Sequence, residues 1–261
     1  MSYYLFIFVF IIGLCLGSFL NVLIHRLPKG EKVFLDRSKC PHCGTYLKWY
    51  HNIPLLSFIL LRGRCAFCHQ KISLIYPAVE LLTATLLLLV YIKFYYNYNL
   101  ITFIFLAIYL LLGITISFID LKTKEIPDIL SLPLFFLGIL FSSLGHNPKV
   151  PGFELSFISG LAGIGLLFLI NEVYYLLTKR DGIGMGDLKL MAGIGSYFSY
   201  YSFYYVLLYG SIIGVVSYFI HRIFQKMMKK EKVEEAGEFL KTEIPFGPFL
   251  FIGSLLYLFF H

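Results

Sequence analysis

The sequence predicts an all-α membrane protein: about eight transmembrane helices, with one long polar loop between the first two. Three observations predict it. The 261 residues are 58% hydrophobic and only 14% charged, whereas soluble domains run at about a quarter charged. The mean hydropathy is +0.78. Apolar stretches of helical length recur at 3–24, 73–92, 100–119, 129–145, 154–177, 188–200, 203–224 and 244–260. Closed barrels also span membranes, but they are built from alternating strands of about ten residues. These runs are longer and do not alternate.

The first stretch, Tyr3 to Ile24, has no basic region before it and no small-residue cleavage pattern. It reads as a retained helix, long enough for a hydrocarbon core of about 30 Å. The stretch 188–200 is short for a crossing. Either it is re-entrant, or its helix starts before Asp187 and carries that residue into the membrane. Positive charge sets the sidedness. If all eight stretches cross, 20 of the 22 Lys and Arg lie in or beside the loops 25–72, 120–128, 178–187 and 225–243; only Lys93 and Lys149 fall opposite. The positive-inside rule makes the first side cytoplasmic and places both termini outside. Seven crossings would export the basic loop 225–243. The net charge of +7 is thereby assigned to loops facing anionic lipid, and nucleic acid is excluded as a partner.

The chain divides into a first helix (1–24), a cytoplasmic cysteine-rich domain (25–72) and a multi-helix membrane domain (73–261). In the middle segment, Cys40-Pro-His-Cys43 and Cys65-Ala-Phe-Cys68 are separated by 21 residues. Two knuckles at this spacing suit a tetrahedral tetrathiolate site for zinc, and a cytoplasmic loop disfavours stable disulfides. Four thiolates leave no position for a reactive water, so the metal is structural. His42 and His69 read as solvated loop residues and Cys15 as packing. The segment Leu47 to Pro54 holds the single tryptophan, Trp49. It suits an interfacial anchor and a substrate-recognising surface equally. Asn21 suits a hydrogen bond between helices. Glu80 either supports a functional site or snorkels to the interface.

Two aspartates carry the chemistry. Gly182-Ile-Gly-Met-Gly-Asp187-Leu-Lys places a carboxylate behind alternating glycines at the lip of an apolar run; Asp120 ends another run and begins the same Asp-Leu-Lys. Charged residues at membrane segments are expensive and point to function. Positive-inside topology puts both at the cytoplasmic face. Two carboxylates held close cannot both ionise easily, so one serves as base toward water and the other as acid toward the carbonyl and the leaving amine. Gly184 and Gly186 would let backbone approach backbone. Lys122 and Lys189 each stand two residues from an aspartate; they tune its charge or are simply positive-inside residues. Asp128, after Pro127, suits a helix cap and is the main rival to Asp120. Ile244-Pro-Phe-Gly-Pro248 either shapes a cleft or starts the last helix.

In its ordered blocks the sequence resembles the type IV prepilin peptidase family of A24-type aspartic peptidases. The blocks are Gly17–Pro28, the Cys40–Cys68 double knuckle with Trp49–Ser57, Tyr76–Glu80, Phe118–Asp120 through Ile126–Asp128, and Gly184–Lys189. The resemblance implies an eight-helix inner-membrane enzyme that cuts the basic leader from type IV prepilins or pseudopilins after a glycine. It implies Asp120 and Asp187 as the catalytic pair, with Asp128 supporting. It further implies methylation of the new N-terminus with S-adenosylmethionine, since members with the cysteine domain generally have that activity. Two alternatives stand beside it. A presenilin-type protease shares Gly-x-Gly-Asp but typically has Tyr-Asp as partner, where this chain has Phe118-Ile-Asp120. A proton-coupled transporter using the same aspartates would place them near mid-membrane.

Overall fold

The computed structural model describes residues 3–33, 38–95, 98–228 and 245–261, with backbone alone for 221 and 224–228. Four of the five cations of the expected basic loop 225–243, Lys229, Lys230, Lys232 and Lys241, lie outside the described residues, as does Arg37. The described residues form helices and loops without a β-strand; only two isolated bridges occur, Lys39–Tyr46 and Arg64–Lys71. All eight apolar stretches fold as helices: α1 (Tyr3–Arg26), α3 (Ile75–Val90), α4 (Leu100–Thr123), α5 (Asp128–Ser143), α6 (Phe153–Thr178), α7 (Met185–Phe198), α8 (Ser202–Met228) and α9 (Gly247–Phe260). A short α2 (Leu56–Leu60) lies in the long loop. Among the described residues, five helices are long and apolar enough to cross a membrane: α1, α3 with its π-helical extension to Tyr95, α4, α6 and α8. The chain is a membrane protein. Helices α5 and α9 are apolar but shorter.

The structure falls into two compact units, Met1–Thr115 and Ile116–His261. In the first, α1 packs antiparallel on α3 through small residues. A Cβ on Gly13 would stand 2.5 Å from Ala84 Cα, and one on Gly17 would stand 2.6 Å from Glu80 Cα. One further step along, Asn21 Nδ2 donates to Tyr76 O at 3.0 Å. The contacts repeat every four residues on both helices, so each meets the other along a single stripe. Apolar side chains gain nothing by leaving lipid for protein, so close backbone approach and interhelical hydrogen bonds hold such pairs. Gly17→Leu should destabilise the protein by about 1–3 kcal/mol or more, because the obstacle is backbone. A thermal melt in detergent checks this; an unchanged midpoint would show that α1 and α3 can separate freely.

In the second unit α7 is enclosed. Leu188 and every residue from Leu190 to Ser199 are buried. Walls come from α5, α6 and α9. Glycines make the fit possible: Gly163 of α6 has no room for a Cβ beside Met191 O, nor Gly195 of α7 beside Ser159 O. Polar links fix the far end, where Asn147 Nδ2 donates to Tyr197 O at 3.1 Å and Ser156 Oγ to Ser196 O at 2.9 Å. Helix α7 begins at Met185, so Asp187 lies in its first turn. The start before Asp187 expected as one alternative for 188–200 is observed.

Candidate active site

Asp120 occupies the last turn of α4, which stops at Lys124, a residue in the left-handed region (φ 58) whose N–H bonds Asp120 O at 2.8 Å. Ile126 and Pro127 then lead into α5. Asp187 is placed by Gly184, the N-cap of α7, whose carbonyl accepts from Asp187 N at 3.1 Å. The two aspartates line one cavity of about 510 Å³, together with Lys124, Glu125, Ile126, Asp128, Gly184, Met185, Gly186 and Lys189. Asp120 is 4% exposed although it is a carboxylate.

Its partner is the backbone of another helix. Gly247 N donates to Asp120 Oδ2 at 2.9 Å from the first residue of α9. A Cβ on Gly247 would stand 2.7 Å from that oxygen, so only glycine lets this helix start approach so closely. Gly186 fits equally tightly against Ile126, where an added Cβ would stand 2.8 Å from Ile126 Cβ. Gly184 is open by comparison, and its Cβ would meet only Asp187 Oδ2 at 3.5 Å.

Asp128 is the first residue of α5, so its carboxylate sits at the positive end of that helix as expected. The N-cap is Pro127 without a side-chain hydrogen bond, and Asp128 Oδ1 instead takes the Lys189 ammonium at 2.5 Å. Lys189 therefore ties the start of α7 to the start of α5. Both groups are substantially exposed, so the pair contributes at most about 1 kcal/mol. Lys122 is exposed at the end of α4 and is not among the residues lining the cavity. Glu80 belongs to the first unit and accepts from Leu55 N at 2.9 Å. Sequence reasoning missed Lys124, Glu125 and the link from Gly247 to Asp120. The available signal for that link was a glycine between Phe246 and Pro248 at a helix start.

The cysteines form a second centre. One sulfur from each of Cys40, Cys43, Cys65 and Cys68 lies within 4.8 Å of all the others. Cys40 Sγ and Cys68 Sγ are 3.8 Å apart, matching the edge of about 3.8 Å for a tetrahedron of metal–sulfur bonds near 2.3 Å. Each knuckle closes the same way: Gly44 N bonds Cys40 O at 2.9 Å, and His69 N bonds Cys65 O at 3.0 Å. Gly44 and His69 both take positive φ, 71° and 57°. His69 is thus the turn residue of the second knuckle. Hydrogen bonds from Thr45 bring the Cys43 thiol down to about 6. A backbone hydrogen bond from Gln70 lowers Cys68, but burial and the neighbouring Cys65, Cys43 and Cys40 outweigh it and push that thiol up to about 11. Four sulfurs this close resist joint ionisation unless a cation sits among them. The cluster can bind a metal ion.

Residues 11–94 match the Bacterial Peptidase A24 N-terminal domain, and residues 106–219 match the Type IV leader peptidase family. The chain is 34% identical over 237 aligned positions to a prepilin leader peptidase/N-methyltransferase of Neisseria gonorrhoeae, covering 82% of this chain and 81% of that protein. It is also 34% identical to the protein of that name from Legionella pneumophila, over 98% and 92% of the two chains. The chain belongs to the type IV leader peptidase family. A third relative of the same name, from Vibrio cholerae, is 34% identical over 85% of this chain and 89% of its own. No solved structure matches this type IV leader peptidase at a significant level. Within the family match, the peptidase segment 106–219 contains both Asp120 and Asp187, and the N-terminal segment contains all four clustered cysteines.

Proposed function

We propose that this enzyme cleaves the leader peptide of type IV prepilins or pseudopilins and methylates the N-terminus that cleavage exposes. The observation that carries the reading is the meeting of Asp120 and Asp187, 67 positions apart on different helices, in one cavity. The names of relatives covering most of the chain support both activities.

The carboxylates need no nucleophilic side chain. One, ionised, takes a proton from a water as its oxygen attacks the scissile carbonyl carbon. The other, protonated, gives its proton to the carbonyl oxygen. Collapse of the tetrahedral intermediate breaks the C–N bond: the amine leaves with the proton first taken from water, and the former carbonyl oxygen returns its proton to the second carboxylate. Gly247 N–H holds Asp120 Oδ2 in place throughout, and Gly184 adds no side chain beside Asp187. The cavity lining has four carboxylates, Asp120, Glu125, Asp128 and Asp187, against two ammonium groups, Lys124 and Lys189. That excess of negative charge suits a substrate with a basic leader. Methylation moves a methyl group from the sulfonium of S-adenosylmethionine to the new amine, which gives up a proton; the residues that bind this second substrate are not assigned.

Cys40, Cys43, Cys65 and Cys68 hold structural zinc, in keeping with the S···S distance and an all-sulfur donor set. Eight helices cross the bacterial inner membrane, both termini are outside, and the cysteine domain (25–72) is cytoplasmic between the first helix (1–24) and the membrane domain (73–261). The distribution of Lys and Arg supports that topology.

The test is incubation of purified full-length enzyme in detergent with a prepilin-type peptide, read by product mass with and without S-adenosylmethionine. Cleavage after the leader glycine, with one added methyl when the donor is present, is expected. Failure of folded enzyme on several prepilin leaders would move the chain to a transport or scaffolding role.

A further inference from the structure

The first unit carries an apolar surface that neither the carboxylate cavity nor the sulfur cluster uses. Leu56, Ile59 and Leu60 of α2 are exposed, Ile59 at 68% and Leu60 at 72%. Their i, i+3, i+4 spacing puts them on one helix face. Helix α2 stops at consecutive left-handed residues, Arg62 (φ 50) and Gly63 (φ 66), with Gly63 N on Phe58 O at 2.9 Å. This turn brings Arg62 and Arg64 to a cavity of about 560 Å³ that Leu60, Leu61 and His69 also line. From Ser38 to Ile72 the chain has Lys39, Lys48, Arg62, Arg64 and Lys71 and no acidic residue. All five cations are exposed.

One hydrogen bond sets the height of this surface. Leu55 N, at the N-cap of α2, donates to Glu80 Oε2 at 2.9 Å. Glu80 lies five residues into α3, which begins at Ile75 and is long and apolar enough to cross a bilayer. Five residues advance a helix by about 7.5 Å, close to the thickness of about 5–8 Å for one headgroup layer. With Ile75 at the outer edge of the headgroup layer, this bond puts the start of α2 level with the entry of α3 into lipid.

We infer that α2 lies in the headgroup layer of the bilayer, with Leu56, Ile59 and Leu60 toward the acyl chains and Arg62 and Arg64 on the phosphates of anionic phospholipids. An apolar helix face flanked by cations is the pattern of interfacial segments. Glu80 is then the clamp that holds the segment at that depth. The inference rests on α3 spanning the bilayer and not on the peptidase reading.

The single tryptophan, Trp49, makes a clean test possible. In a Trp49→Phe background, Leu60→Trp leaves one indole on the proposed face. The full-length protein is placed in phosphatidylcholine bilayers with or without phosphatidylglycerol, using lipids brominated near the headgroup end or near the tail end of the chain. The expected result is blue-shifted emission, quenched strongly by the shallow bromines, less by the deep ones and hardly by aqueous iodide. Adding Arg62→Glu and Arg64→Glu should weaken shallow quenching, more so in bilayers containing phosphatidylglycerol. Ile59→Trp repeats the measurement on the same face if Leu60→Trp fails to fold. Emission quenched by iodide and untouched by bromolipid would overturn the inference. So would an indole that becomes shielded only when a prepilin-type peptide is added, which would give the surface to substrate. Because the readout is fluorescence, it stands apart from whether the protein cleaves such a peptide.

Discussion

Asp120→Asn and Asp187→Asn are each expected to lower the single-turnover rate of prepilin-peptide cleavage by roughly 10²–10⁴-fold, the usual worth of a positioned proton-transfer group. The substitution is nearly isosteric, which separates chemistry from folding. An asparagine at 120 can still accept the Gly247 N–H through its side-chain oxygen, so α9 keeps its anchor on α4. What it cannot do is exchange a proton with water or with the carbonyl oxygen. Both positions should be equally sensitive, since one carboxylate supplies the base and the other the acid. The double variant should be scarcely worse than either single one, as is usual for groups that act as a unit. Thermal midpoints in detergent should stay near that of the wild type. Full cleavage by either variant would remove that aspartate from the reaction and turn attention to Asp128, which lines the same cavity.

Loss of the proposed zinc should have the largest structural effect. Structural zinc in small domains contributes an apparent 10–16 kcal/mol, roughly speaking, to the folded state at neutral pH. The loop has little else: apart from Cys40 and Cys65, no residue from Ser38 to Ile72 is buried. Cys65→Ser is expected to abolish stoichiometric metal in elemental analysis and to open the loop to trypsin at Arg62 and Arg64. A strong chelator applied to the wild type should do the same. The α1–α3 pairing depends on glycine contacts and Asn21, not on sulfur, so its helices should persist in circular dichroism. Retention of one metal per chain by Cys65→Ser would show that three sulfurs and another donor suffice.

Some of this was legible in the sequence for identifiable reasons. Apolar runs of helical length announce helices because lipid forbids an unpaired backbone. Two Cys-x-x-Cys pairs announce a cluster because each pair already fixes a turn with both sulfurs on one side. The meeting of Asp120 and Asp187 could be anticipated from charge sidedness, which puts two chain positions at one depth. Charge sidedness cannot give lateral neighbours. That is why the Gly247 N–H on Asp120, the Lys189 ammonium on Asp128 and the Glu80 carboxylate on Leu55 were invisible: each links residues 25 to 127 positions apart. Asp128 shows the limit of local rules. Its place at the start of α5 follows from Pro127, but its ion pair with a lysine on another helix does not.

The enclosure of α7 has a consequence for how the protein is made. Its first two turns carry Asp187 and Lys189, and it contains Gly186, Gly193 and Gly195. Such a segment leaving the ribosome has little that would hold it in lipid alone. Helices α5 and α6 precede it in the chain and provide two of its walls, while α9, which provides the third and touches Asp120 through Gly247, follows it. The setting of the two carboxylates is therefore incomplete until α9 has been made. A half-made chain would carry both aspartates and still lack the assembled site, and the membrane is spared a premature protease.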